Sequence, residues 1–75
     1  MTITYELWDT ESRNLVAEFA SREEAVAAVR QTLTVQGRCA VGRMALGTDD
    51  GDGGGEVIAR GAGLVALAQR EALTP

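Results

Sequence analysis

No histidine and no lysine occur among the 75 residues, and cysteine, proline, tryptophan, tyrosine and phenylalanine occur once each. Without histidine, the chain lacks the side chain that most often moves protons near neutral pH or binds a transition metal. Cys39 can close no internal disulfide, forms no Cys/His metal set and has no imidazole to act as its base. It reads as a buried strand cysteine. No apolar run approaches the roughly 18 residues that would cross a bilayer. Residues 1–6 carry neither the basic nor the apolar region of a secretory signal, so a reducing cytoplasm is the expected location.

The charge is one-sided. Seven arginines stand against eleven acidic residues, a net charge of −4. Such a surface repels phosphate backbones, which argues against nucleic acid and anionic membranes as partners. Arginine as the sole cation, with abundant alanine, glycine and valine, looks like the coding bias of a GC-rich bacterial genome.

The length fits a single small domain over 1–75, in two hairpin-helix halves of about 1–37 and 38–75. A chain this size hides only about 60% of its unfolded surface, and the usual remedy without disulfides or metals is association. A homo-oligomer or a protein partner is therefore expected.

The most legible stretch is Phe19-Ala20-Ser21-Arg22-Glu23-Glu24-Ala25-Val26-Ala27-Ala28-Val29-Arg30. Ser21 followed by Glu24 is a capping box, in which the serine oxygen accepts a first-turn amide and the glutamate reaches back to the Ser21 amide. Ala25, Val26, Val29 and Leu33 then form one apolar stripe, predicting a helix over about 22–36 closed by Gly37. Before it, Ile3, Tyr5 and Leu7 alternate with polar neighbours, and so do Leu15, Ala17 and Phe19. This predicts a hairpin of strands at about 2–9 and 15–20, with those six residues on the core face and Asn14 taking positive φ at the turn.

After the helix, Arg38 to Leu46 reads as a third strand weakened by Gly42. Glu56 to Arg60 reads as a fourth, and Leu64 to Leu73 as a second helix. Sliding the first half by 39 positions sets Tyr5 on Met44, Leu7 on Leu46, Phe19 on Ile58, Ala25 on Leu64 and Val26 on Val65. The predicted fold is α+β of order ββαββα, a four-stranded mainly antiparallel sheet with both helices on one face.

Asp49-Asp50-Gly51-Asp52-Gly53-Gly54-Gly55-Glu56 is acidic and flexible, as calcium loops are. Counted from Asp50, however, an EF-hand would need a ligand where Gly54 stands, so a solvated connection is expected. Its glycines lack the lysine and following helix of a phosphate loop. Glu6 and Glu18 face each other across the hairpin, but no cleft is implied around them. No catalytic, cofactor-binding or metal-ligating residue is assigned, and an enzyme is not expected.

Two features point outward instead. The second helix is apolar on most sides, with Leu67 and Leu73 outside the stripe of Leu64, Val65, Ala68 and Ala72. Trp8 has the wrong parity for the core and should project, near Val16, from the face away from the helices. Trp8, Val16, Leu67 and Leu73 are thus the candidate contact residues.

The passage Phe19-Ala20-Ser21-Arg22-Glu23-Glu24-Ala25 after a hairpin resembles the strand-to-helix passage of HicB-like antitoxins and similar small bacterial domains. The proline- and glycine-containing segment of that family is absent. The resemblance implies an acidic inhibitor masking a basic partner. The primary expectation is a self-associating, non-enzymatic interaction or regulatory module. The alternatives are such an inhibitory subunit, or a small ligand-binding or catalytic domain with a deep pocket at Tyr5, Glu6, Glu18 or Cys39.

Overall fold

In a computed structural model describing residues 3–72, alternation and capping place the first elements near their expected bounds. They are β1 (Thr4–Asp9), β2 (Asn14–Phe19) and α1 (Arg22–Gln36). There follow α2 (Arg38–Val41), β3 (Met44–Asp49), β4 (Val57–Arg60) and α3 (Ala62–Ala72). The sheet runs β2-β1-β3-β4 and is antiparallel throughout. Thr2, Leu73, Thr74 and Pro75, which the sequence assigns to element ends, lie outside the described residues.

Helix α1 starts where its capping signal lies. Ser21 is extended, and its Oγ accepts the Glu24 amide at 3.2 Å. The return arm differs from the expected box: the Glu24 carboxylate accepts from the amide of Ala20, at 3.3 Å, rather than from that of Ser21. The bond thus ties the helix to the end of β2. At the other end, the Gly37 amide donates to the Leu33 carbonyl at 3.0 Å with φ at +90°. Only glycine takes that conformation without strain.

The reversal at Gly37 corrects the expected third strand. Residues 38–41 form one helical turn, and β3 begins only at Met44. Ala40 and Val41 are both buried. Two adjacent side chains can point into one core from a helical turn, whereas a strand sends them to opposite faces. Cys39, expected in a buried strand, is exposed on this turn. Among the described residues there are therefore three helices, the two long ones as expected and α2 between the halves.

All the helices lie on one side of the sheet. Helix α1 packs on β1 and β2, α3 packs on β3 and β4, and α2 contacts both helices. The core joins Leu7 and Leu46 of the two central strands to Val26 and Val29 of α1, Val41 of α2, and Leu64 and Leu67 of α3. The extents, 33 × 32 × 17 Å, are those of two layers.

The repeat in the sequence pattern has a geometric counterpart. Leu7 is paired directly with Leu46, the residue 39 positions on, across the β1–β3 ladder. Ala25 and Val29 of α1 are buried, and so are Leu64 and Ala68, their counterparts in α3. The two halves are thus related by a pseudo-two-fold axis passing near the Leu7–Leu46 pair and normal to the sheet.

The cap and the closing glycine can be tested separately. Ser21→Ala is expected to lower unfolding free energy by about 1 kcal/mol, read from urea melts. Gly37→Ala meets no atom within 4 Å, so its cost of roughly 1–3 kcal/mol is that of backbone strain alone.

Candidate interaction surface

A β-bulge decides what the bare side of the sheet displays. The β1–β2 register pairs Leu7 with Ala17 but Trp8 with Leu15, so Val16 is the extra residue. The bulge shifts the parity of the strand beyond it. Leu15, expected on the core face, consequently joins Trp8 on the opposite one. Both are exposed, as is Val16 at 50%. Of the other residues expected in the core, Leu7 is buried, Tyr5 and Phe19 are half-buried against it, and Ile3 is exposed. The turn holds a further correction: Arg13, not Asn14, takes positive φ, at 62°.

Two cross-strand rows build this face. One runs Leu15, Trp8, Ala45, Arg60; the other runs Glu18, Glu6, Gly47, Val57. Trp8 Nε1 donates to Glu6 Oε1 at 3.3 Å, holding the indole along the surface of the sheet. Glu6 is directly opposite Glu18, a like-charge pair that disfavours the hairpin. In β3 the face is low. A Cβ on Gly47 would come within 3.0 Å of the Glu56 carbonyl, across the second bulge between Leu46 and Gly47. The face is therefore bulky over β1 and β2, and small over β3.

Leu67 is placed differently from Trp8 and Val16. It is only 5% exposed and belongs to the core. Helix α3 meets α1, α2, β3 and β4, so its broad apolar surface is used inside the molecule. Leu73 lies outside the described residues. The structure sets Trp8 opposite Leu15 and next to the inserted Val16; alternation cannot register an inserted residue and so does not place Leu15 here.

Open grooves lie on the helical side. One, of about 350 Å³, is lined by Arg30, Gln31, Leu33, Thr34, Ala68 and Gln69. Another, of about 380 Å³, lies between α2 and α3, beside Arg38 and Val65. Tyr5, Glu6, Glu18 and Cys39 line neither. Among the described residues, no three His, Cys, Asp or Glu side chains are grouped to hold a metal ion, and no helix is long and apolar enough to cross a membrane.

The acidic loop is organised by its own backbone. Asp50 Oδ1 accepts the amides of Asp52, at 2.8 Å, and Gly54, at 3.0 Å. These bonds hold its carboxyl below the ordinary value of 3.8. At the other hairpin, Asp9 Oδ1 accepts the Glu11 amide at 2.9 Å. Asp9 is also lowered, first by that bond, then by Ser12 and by the charge of Arg43. Compared with known protein families, with curated proteins and with solved structures, the chain matches none.

Two tests follow from these placements. Leu67→Ala should destabilise the fold by about 2–5 kcal/mol, as a core truncation does, measured by denaturant unfolding. The loop carboxyls give a pH dependence of known sign. A carboxyl whose pKa is lowered by folding contributes stability that is complete above its unfolded value and is lost as pH falls through the folded one. Amide resonances of Glu11, Asp52 and Gly54 should therefore titrate with midpoints below 3.8; midpoints at or above that value would contradict the loop geometry.

Proposed function

We propose that this protein is a non-enzymatic interaction or regulatory module that works through the helix-free face of its sheet. The observation carrying this reading is the bulge that sets Leu15 and Val16 beside Trp8, all exposed, on a face that no helix covers. A contiguous apolar patch on a small domain is a common mark of a contact site, and tryptophan is enriched at the centres of such sites. The small core supports the same reading, because burying this face against another chain would add the apolar area the monomer lacks. A second reading, an inhibitory subunit that masks a basic protein, draws on the Glu6–Glu18 pair and on the net charge of −4.

The test is site-specific photo-crosslinking in the cells that make the protein. A photoreactive residue at position 16 should yield discrete protein adducts, while one at Gln31, exposed on the helical side, should yield few. Equal labelling from both positions, or none from position 16, would sink the proposal.

A further inference from the structure

We infer that the occupant of this face is a second copy of the same chain, stacked sheet to sheet about a two-fold axis parallel to the strands. The inference rests on the interaction reading above and adds the partner and its pose.

Shape argues for it first. An axis between β1 and β3, lying just outside the face, carries β1 of one copy over β3 of the other. Trp8 and Glu6 then lie over Ala45 and Gly47, large side chains over the smallest of the face. Stacked sheets sit about 10 Å apart, and at that distance large side chains need small ones opposite them. The match is reciprocal, as an isologous interface requires.

Charge argues for the same axis. It carries β4 over β2, so Arg60 of one copy lies over Leu15 of the other, one row along from Glu18. Arg60 and Glu18 are then about 7 Å apart along the strand and about 10 Å apart across the gap, a separation of about 12 Å that the arginine and glutamate side chains span together. Within the monomer, Glu6 and Glu18 oppose each other, and Arg60 has no ion pair among the described residues. The second copy supplies the cation that the acidic pair lacks. A two-fold axis perpendicular to the strands would instead set Trp8 over Glu6 and Arg60 over Val57, with no gain in shape or charge.

The edges agree. Strand addition at an edge is the competing route to a dimer. Both outer ladders, β1–β2 and β3–β4, carry a bulge, a device that blunts edges against such pairing.

Sedimentation equilibrium at micromolar concentration is expected to give twice the 7.9 kDa chain mass. Fluorescence of the sole tryptophan should shift to shorter wavelength as the dimer forms. Ala45→Arg, which fills the low centre of the face, should leave a folded monomer by circular dichroism. Arg60→Glu should weaken association about tenfold, and adding Glu18→Arg should restore most of the loss. Arg60 is exposed on an edge strand, so its variant remains informative if Ala45→Arg fails to fold. A 7.9 kDa monomer, or a dimer indifferent to both substitutions, overturns the second copy as occupant. Adducts from position 16 to a different protein would then leave the interaction face standing, whereas their absence would remove it as well.

Discussion

The antiparallel ladder between β1 and β3 joins two hairpin-helix units that have no other strand contact. At its centre Leu7 meets Leu46, both essentially without solvent exposure, beneath the seam where α1 and α3 touch. Every other buried side chain in the core cluster belongs to a helix. A 75-residue chain has room for few such contacts. The helices can share one face only because the ladder sets the two units side by side and not back to back. That placement leaves the opposite face without cover. The internal order of the molecule and its exposed patch therefore have one cause.

Much of this was legible in the sequence, for identifiable reasons. Ser21 and Glu24 marked a helix start because capping is local chemistry, set by residues within one turn. The alternation around Leu7 and the stripe around Val29 reported burial faithfully, since both lie in regular elements. Where the chain departs from regular geometry, the pattern misled. Val16 is an inserted residue, and alternation read across it assigns Leu15 to the wrong face. At residues 38–41 a short apolar run looked like a strand, and nothing local separates a buried strand from a buried helical turn. The reversal at Gly37, followed by two consecutive buried residues, settles it for the turn.

The candidate surface was half legible. Trp8 was assigned outward by parity alone, and it is exposed there. The apolar breadth of α3 makes Leu67 a candidate, but breadth of apolar surface carries no information about what covers it. In this fold the cover comes from α1, α2 and the sheet. The low relief at Ala45 and Gly47 could not be read from the sequence, because it depends on which strand lies beside β1.

The short helix α2 has a consequence for how the chain folds. Each half closes on local contacts, a hairpin followed at once by its helix, and such units form quickly. The joining ladder is different, since Leu7 must find a partner 39 positions away. The cost of closing so long a loop is entropic and precedes the contacts that repay it. Gly37 and α2 lie within that loop, and a fixed turn there leaves fewer conformations to be lost when it closes.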